Sequence, residues 1–195
     1  MRRLPLLAAI VLLAIAPCHA ASQTTPAPTS PPAAAAAPTA APRAADPADV
    51  GTLDGILGAL YASISGPKGA PRDFDRLRTL MGPHARFIPT GLTRDGKPVL
   101  RNWSVEEYIA AAGPGLMANG FFEREIGRTT DRFGQVVQVM SVYDSRFAPA
   151  DAPFQRGINS IQLFSDGSRW YILSVMWDTE RPDNPIPAER ITRRP

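Results

Sequence analysis

The sequence predicts an α+β fold in which three N-terminal helices pack on one side of a strongly curved, cone-shaped antiparallel sheet. Apolar residues recur at helical spacing in three segments between residues 46 and 118. Segments rich in β-branched and aromatic residues fill the chain from residue 121 to 180, as strands do. This order, with the helices first and then a run of strands, is typical of an α+β domain in which the helices lie on one side of the sheet.

The first 20 residues have the pattern of a secretory signal peptide. Arg2 and Arg3 precede the apolar run LPLLAAIVLLAIAP, and small residues up to Ala20 fit a cleavage site. The apolar run is too short for a membrane span. The alternative is a lipoprotein acylated at Cys18, although Pro17 is a poor residue at that position. We therefore expect an exported protein, in the periplasm or outside the cell, with no membrane span.

Removal of such a peptide changes what the composition implies. The full chain carries 21 Lys and Arg against 18 Asp and Glu, and loss of Arg2 and Arg3 leaves 19 against 18. This near balance gives no support for a nucleic-acid partner. Cys18 and His19 would be lost as well, so that no thiol remains and His84 is the single histidine left. Disulfides, cysteine nucleophiles and multi-histidine metal sites are thereby excluded, and we expect no metal and no cofactor.

Residues 21 to 47 are expected to form a disordered linker. They are almost entirely Ala, Pro, Ser and Thr, and they include no aromatic or large aliphatic side chain that could be buried. Residues 48 to 195 are then sufficient for one domain with its own hydrophobic core.

Capping residues and apolar periodicity place the three helices. The first is expected over residues 46 to 64, with Asp46 as N-cap and a proline at the first helical position. The second begins at Asp73 and ends before a Gly-Pro pair. The third runs from a capping box in SVEE, residues 104 to 107, to about residue 118, with a kink or an earlier end at Pro114.

The strands begin with two short extended segments, HARFIPT and GKPVLRNW. After Gly120 the chain is expected to form a meander of four longer strands. The first two are FFEREIGRTTDR and GQVVQVMSVYDSR, and the last two form a hairpin over residues 155 to 180. The segment FAPADAPF between them is expected to be a surface loop.

The turn of the hairpin predicts how its two strands pair. If Asp166-Gly167 form a two-residue type I′ turn, Leu163 lies opposite Trp170 and Asn159 lies opposite Ser174. The face that carries these residues is then apolar near the turn and polar halfway along. Buried polar groups need hydrogen-bond partners, which they find in each other, in water or in a ligand.

The preceding strand shows the same change, because Val137 and Val139 share a face with Ser141 and Tyr143. We therefore predict a cone that is apolar at its closed end and polar at its open end. A pocket at the open end would bind a small, mostly apolar ligand. The residues predicted to line it are Ser141, Tyr143, Asn159, Ser174 and Met176.

Five further residues are weaker candidates: Glu123, Asp178, His84, Arg156 and Trp177. Glu123 and Glu125 are two residues apart on one strand and so share a face. They are either a general acid/base pair or part of a face exposed to solvent. His84 is either a base or a histidine of a surface turn. Arg156 lies opposite Trp177 in the predicted pairing, either as a structural cation–π contact or to hold an anionic or aromatic ligand.

The order of the elements and the closing segment SDGSRWYILSVMW resemble the nuclear-transport-factor-2-like superfamily, which includes ketosteroid isomerases and SnoaL-type polyketide cyclases. The resemblance covers roughly residues 48 to 180 and implies a cone-shaped, cystatin-like roll. For the enzymes of the superfamily it also implies an acidic general base inside the cone. The segment HARFIPT, the short strand after the second helix, contains no Asp or Glu and so departs from that pattern.

These observations predict an exported domain that binds a small apolar molecule or a partner. One alternative is an isomerase, lyase or hydrolase in which Tyr143 acts with a carboxylate from Glu123 or Asp178. Another is an envelope interaction module that works through the outer face of the sheet, which could also form a homodimer. No complete catalytic constellation can be recognised in the sequence, so enzymatic activity is left open.

Overall fold

The computed structural model describes residues 43–192, so the predicted signal peptide and most of the predicted linker lie outside the described residues. The helices are α1 (Pro47–Val50), α2 (Leu53–Ile64), α3 (Phe74–Leu80), α4 (Val105–Asn119) and α5 (Ala188–Thr192). The strands are β1 (Met81–Leu92), β2 (Pro98–Leu100), β3 (Phe122–Phe133), β4 (Val136–Arg146), β5 (Gln155–Ser165) and β6 (Trp170–Thr179). The predicted α+β class is confirmed.

The predicted first helix is divided into α1 and α2, which corrects the single helix expected there. Thr52 lies between them with an extended backbone, and its hydroxyl accepts a hydrogen bond from the Gly55 N–H at 2.9 Å. A residue that caps a new helix in this way cannot itself be helical, so the chain starts again after it. The last part of the predicted linker is also ordered, since Ala45 packs against the core and Arg43 pairs with Asp73 at 3.0 Å.

The capping box that opens α4 is present as predicted. The Glu107 N–H donates to Ser104 Oγ at 3.3 Å, and the Ser104 N–H donates to Glu107 Oε2 at 2.7 Å. Pro114 lies inside α4, which continues to Asn119. The carbonyl that loses its helical partner at Pro114 belongs to Ala110, which is exposed, so water can serve as the donor.

All six strands form one sheet in the order β2-β1-β6-β5-β4-β3. Strands β3 to β6 form the predicted antiparallel meander. Strand β1, however, is parallel to β6, with Phe87 beside Val175, so the sheet is mixed and the prediction of a purely antiparallel sheet is wrong. The reason is that α4 and the meander separate β1 from β6, a connection long enough to bring the chain back in the same direction.

The predicted pairing of the final hairpin is also wrong. Asp166 Oδ1 accepts hydrogen bonds from the N–H groups of Ser168 and Arg169, at 2.8 and 2.9 Å. These bonds stabilise a four-residue loop in place of the two-residue turn. Ser165 therefore lies opposite Trp170 at the base of the loop.

A β-bulge then shifts the register once more. Leu163 lies opposite Ile172, but its neighbour Gln162 lies opposite Ser174, so Leu173 has no partner in the ladder. A one-residue shift moves every later side chain of β6 to the other face. Val175 therefore faces the helices, on the same side as Ile172.

The hydrophobic core lies between the helices and the face of the sheet that they cover, here called the inner face. Helix α2 approaches β3 and β6, and α4 approaches β1. The aliphatic residues of this core are Val50, Ile56, Leu57, Leu60, Ile64, Leu77, Leu80, Val137, Val139, Ile161, Leu163, Ile172 and Val175. The core fills the end of the inner face that is nearer the β5–β6 loop, which leaves the other end for polar groups.

The C-terminal segment, residues 181–192, continues from β6 and reaches β3. The approach is closest at Gly127, where an added Cβ would lie 2.1 Å from Arg190 O. Only a glycine allows the two backbones to come so near. None of the helices within residues 43–192 has the length and apolar character that crossing a membrane requires.

Candidate functional site

A cavity of about 190 Å³ opens on the inner face, between α2, α4 and strands β1 and β3–β6. It is called the inner cavity here. The residues that line it are Leu60, Tyr61, Ile64, Phe87, Tyr108, Ala112, Leu116, Phe121, Glu123, Tyr143, Ser145, Gln155, Asn159, Val175 and Trp177. Most are apolar or aromatic, and the polar ones come from β3, β4 and β5. A mostly apolar wall with a few converging polar groups is typical of a small-molecule site.

Three aromatic rings form the apolar wall on the side of β1 and α4. Phe87 and Tyr108 are stacked, with ring centroids 4.1 Å apart and planes 11° from parallel. Trp177 meets Tyr108 edge-on, at 6.3 Å and 85°. Contacts of this kind hold the rings in fixed orientations, so the wall has a defined shape.

Glu123 supplies the carboxyl group of the inner cavity. It lies on β3 directly opposite Ser145 of β4, whose hydroxyl donates to Glu123 Oε2 at 2.8 Å. The Glu123 N–H donates to Ser65 Oγ at 3.0 Å, which ties this point of β3 to the end of α2. Both contacts fix the position of Glu123 at the cavity wall.

Burial raises the pKa of Glu123 to about 7, and the negative charge of Asp144 adds to this rise. Hydrogen bonds from Ser145 and Asn159 stabilise the carboxylate and act in the opposite direction. A carboxyl group that titrates near neutral pH can accept or release a proton there. Such groups are found most often at functional sites.

A chain of hydrogen bonds, here called the polar network, supports the cavity from behind. Asn159 Nδ2 donates to Tyr61 Oη at 3.1 Å, and Tyr61 Oη lies 2.6 Å from Ser141 Oγ. Ser141 donates to Glu125 Oε1 at 2.5 Å, so its proton is engaged and Tyr61 must be the donor to Ser141. The Glu125 carboxylate thus sets the direction of every bond in the chain.

Arg128 holds the outer end of the polar network. It donates to both oxygens of Glu125, at distances down to 2.5 Å, and to Asp54 Oδ1 at 2.6 Å. Arg128 is itself mostly buried, and the carboxylates of Glu125 and Asp54 balance its charge. In this pairing the Glu125 carboxylate accepts every hydrogen bond that it makes.

Three of the five predicted pocket residues come together on the inner face. Tyr143 and Asn159 line the inner cavity. Ser141 is fully buried behind Tyr61 and belongs to the polar network, so it acts on the cavity through Tyr61 and Asn159. Burial raises the pKa of Tyr143, and the Glu123 charge raises it further, so its hydroxyl stays protonated.

The other two, Ser174 and Met176, lie on the outer face, and their placement in the same pocket is wrong. The bulge at Leu173 is the reason, since it reverses the facing of β6 beyond that residue. Met176 and Asp178 instead line a groove of about 260 Å³ on the side of the C-terminal segment. Asp178 is paired there with Arg181 at 2.6 Å and does not line the inner cavity, where Tyr143 lies.

The weaker candidates divide in the same way. Glu123 and Trp177 line the inner cavity. Arg156 does not stack on Trp177 as predicted, because it is on the opposite face and donates to Glu180 Oε2 at 2.8 Å. His84 is exposed in the irregular part of β1, with φ of 59°, outside the cavity lining.

Sequence reasoning missed three residues that shape the site. Tyr61 continues the apolar stripe of α2 one turn after Leu57, so the sequence pattern does not distinguish it from a core residue. Tyr108 fits the apolar stripe of α4 in the same way. Ser145 extends the alternation of Ser141 and Tyr143 by two residues and could have been found from it.

Within residues 43–192 no group of His, Cys, Asp and Glu side chains is arranged to hold a metal ion. The acidic residues near the cavity are each engaged by arginine or serine, as described above for Glu123 and Glu125.

Comparison with known proteins gives a fold and no activity. No family model and no curated protein matches the sequence. A solved Nostoc punctiforme protein of unknown function with a cystatin-like fold has a TM-score of 0.50 and 8% identity, over 65% of this chain and 87% of that one. An NTF2-like protein of unknown function from Shewanella baltica has a TM-score of 0.42 and 17% identity, over 65% and 91%. A third protein, also NTF2-like and of unknown function, comes from Silicibacter pomeroyi. It has a TM-score of 0.45 and 14% identity, over 66% of this chain and 92% of that one.

At these identities the likeness concerns the fold alone. The Nostoc punctiforme structure confirms the cystatin-like architecture that the resemblance implied. Activity has to be argued from the site itself.

Proposed function

We propose that the protein binds a small molecule in the inner cavity, with Glu123 as the polar group that recognises it. The observation that carries this proposal is a carboxyl group set among aromatic side chains at the wall of a cavity, with a pKa of about 7. A protein that only needed a stable fold would gain by replacing such a group with an apolar one. Its presence in the cavity wall supports a role in binding.

The volume of the cavity limits the size of the ligand. An engineered protein cavity of roughly 150 Å³ is known to hold one benzene molecule. The inner cavity, at about 190 Å³, is therefore suited to a single ring with a short substituent. A four-ring steroid would require the cavity to widen.

A pair of variants on α4 tests this site. Ala112 lines the cavity, whereas Ala110 is exposed on the same helix. We expect Ala112→Phe to fill the cavity and abolish binding of single-ring compounds, such as phenol or benzyl alcohol, measured by ligand-observed NMR. Ala110→Phe is the matched control and should bind as the unmodified protein does. Equal binding by both folded variants would place the site elsewhere.

A second candidate function is proton-transfer catalysis in the same cavity. It is supported by the combination of Glu123, which titrates near neutral pH, with Tyr143, whose hydroxyl stays protonated. In an isomerase of this kind, Glu123 would remove a proton from carbon beside a carbonyl group and return it to another carbon. The Tyr143 hydroxyl would donate a hydrogen bond to the carbonyl oxygen as negative charge develops there.

Catalysis can be tested without knowing the substrate. Exchange of the α-hydrogens of cyclohexanone for deuterium in D₂O is followed by proton NMR. An acid–base site should accelerate this exchange, with a rate that rises as pH passes through about 7, where Glu123 becomes a base. Glu123→Gln should remove the acceleration, and Glu106→Gln on the outer surface of α4 should not. An unchanged rate in Glu123→Gln would exclude this function.

We also propose that the protein is exported. The proposal is supported by the sequence pattern of residues 1–20. Mass spectrometry of the protein from the periplasm or culture medium should find a chain that begins at Ala21. A lipid-modified chain beginning at Cys18 would favour the lipoprotein alternative, and an intact Met1 in the cytoplasm would contradict export.

The predicted homodimer through the outer face stays a prediction. Leu173 and Met176 are exposed, and so is Phe164, which lies opposite Tyr171. Residues 184–187 approach Met176 across the groove described above.

A further inference from the structure

The lining of the inner cavity has an unusual charge balance. Six of its residues are aromatic: Tyr61, Phe87, Tyr108, Phe121, Tyr143 and Trp177. Glu123 is its one ionisable acid, and the described residues that line it include no Lys, Arg or His. The cavity lining therefore combines electron-rich rings with a carboxyl group and includes no positively charged side chain.

A second pocket shares Glu123 with the inner cavity and is also lined by arginines, but these arginines are already paired with other carboxylates. Arg124 and Arg146 both donate to Asp144, at 3.1 and 2.9 Å, and Arg128 is held by Glu125. Glu123 accepts its hydrogen bonds from neutral donors, and the nearby charge that affects its pKa is the negative one of Asp144. Among the described residues Glu123 has a hydrogen-bond partner but no counter-ion.

An organic cation matches this combination of groups. The faces of Trp, Tyr and Phe rings attract cations, and the attraction is stronger in a site that excludes water. The Phe87–Tyr108 stack and the edge-on Trp177 present rings in two orientations around the same space. An ammonium group between these rings and the Glu123 carboxylate would complete an ion pair that the protein leaves open.

We infer that the ligand of the inner cavity is a small organic cation, an amine in its ammonium form on a body of about one ring, with Glu123 as its counter-ion. This inference rests on the proposed binding function and specifies its ligand class. An anionic ligand is disfavoured because it would meet Glu123 with no compensating positive charge in the lining. A neutral ligand would hydrogen-bond to Glu123 but leave the cation-binding faces unused.

The first test compares three probes of the same size and different charge: benzylamine, benzyl alcohol and benzoate. Affinities are measured by isothermal titration calorimetry or by NMR. At about pH 8, where benzylamine is still protonated, we expect it to bind about tenfold or more tightly than benzyl alcohol, and benzoate not to bind. Equal affinity for benzylamine and benzyl alcohol, or tighter binding of benzoate, would overturn the inference and leave the proposed binding function standing. Binding of none of the three would contradict both.

The second test uses pH. A cation prefers the ionised Glu123, so benzylamine affinity should rise as pH increases through about 7 and then level off. The other titratable groups that face Glu123 are Tyr61 of α2, Tyr108 of α4 and Tyr143 of β4, and burial raises the pKa of each away from this range. Asp144, whose charge acts on Glu123, has its own pKa lowered despite burial, because Arg146 and Arg124 hydrogen-bond to it. A rise near pH 7 therefore reports on Glu123.

Two variants separate the two parts of the site. Glu123→Gln should reduce benzylamine affinity by about tenfold or more and remove its pH dependence, while benzyl alcohol binding stays within about twofold. Trp177→Leu keeps an apolar wall but removes a ring, and it should weaken benzylamine more than benzyl alcohol. Glu106→Gln is the matched control and should change neither affinity. If Glu123→Gln is folded and binds benzylamine with the original affinity and pH profile, the inference is wrong.

Discussion

The Tyr61 hydroxyl on α2 lies 2.6 Å from Ser141 Oγ on β4, and this contact joins the helix to the sheet behind the inner cavity. Tyr61→Phe removes this bond and the one that Asn159 donates at 3.1 Å, and it leaves the buried Asn159 amide with Glu123 as its remaining acceptor. We expect a loss of about 1–3 kcal/mol in the free energy of unfolding, measured with urea. The control Tyr171→Phe removes a more exposed hydrogen bond to Asp166 and should cost less than about 1 kcal/mol. Equal losses would mean that the buried bonds of Tyr61 add no stability.

Two glycines in α2 should respond in opposite directions to replacement by alanine. A Cβ at Gly58 would meet no atom within 4 Å, so Gly58→Ala should stabilise the protein by about 0.5–1 kcal/mol through helix propensity. A Cβ at Gly55 would lie 2.5 Å from Ala48 O, a backbone atom, so Gly55→Ala should be destabilising. Thermal unfolding followed by circular dichroism measures both. A stabilising Gly55→Ala would show that α1 can move away from α2 at no cost.

The facing of β6 makes a prediction about its two tryptophans. Trp170 is buried in the core, and Trp177 is on the same inner face beyond the bulge. Trp170→Ala should cost about 3–5 kcal/mol, and Trp177→Ala, at the partly open cavity, about half as much. Urea unfolding followed by far-ultraviolet circular dichroism is suitable, because it does not depend on tryptophan emission. A negligible cost for Trp177→Ala would indicate that it faces solvent and that Leu173 does not form a bulge.

The sequence predicted the fold class well because its signals are local. The capping box at Ser104, the N-cap at Asp73 and the alternation along β4 each depend on residues near one another in the chain. The facing of β6 could not be predicted in this way. It depends on the hydrogen bonds of Asp166 in the loop and on a bulge at Leu173, and neither has a distinct sequence pattern.

The candidate site was predicted only in part for a related reason. Tyr143 and Asn159 were found because they interrupt apolar alternation on strands. Glu123 lies in the alternating pattern that a solvated glutamate would also show. What distinguishes it is that α2 packs against the edge strand β3. That position is a tertiary property, so the sequence showed the carboxyl group but not its burial.

Glu123 should also make stability depend on pH. Its pKa is about 7 in the folded protein against an ordinary value of 4.5, so between these values the folded state binds more protons than the unfolded state. Stability contributed by this group is therefore full below about pH 4.5 and is lost as pH rises through about 7. Glu123→Gln should remove this loss. Since one pKa unit corresponds to about 1.4 kcal/mol, we expect the variant to gain on the order of 3 kcal/mol at alkaline relative to acidic pH.

Urea unfolding at a series of pH values measures this difference. Glu106→Gln is a control of opposite sign, because the Arg78 guanidinium lowers the pKa of Glu106. That variant should be less stable than the unmodified protein above about pH 4.5, and the difference should shrink as pH falls below that value. Parallel pH profiles for Glu123→Gln and the unmodified protein would show that Glu123 has an ordinary pKa.

The last prediction concerns the hydrogen bond that Ser145 donates to Glu123 Oε2 at 2.8 Å. This bond stabilises the carboxylate, so Ser145→Ala should raise the pKa of Glu123 further, by about one unit. The measurement is an NMR titration of the ¹³C-labelled glutamate carboxyl groups, with Glu123→Gln used to assign the signal. Ser65→Ala is the matched control: its hydroxyl accepts from the Glu123 backbone N–H, so the carboxyl pKa should change little. If Ser145→Ala leaves that pKa unchanged, the Ser145 hydroxyl does not stabilise the carboxylate, and Asn159 is its remaining hydrogen-bond donor.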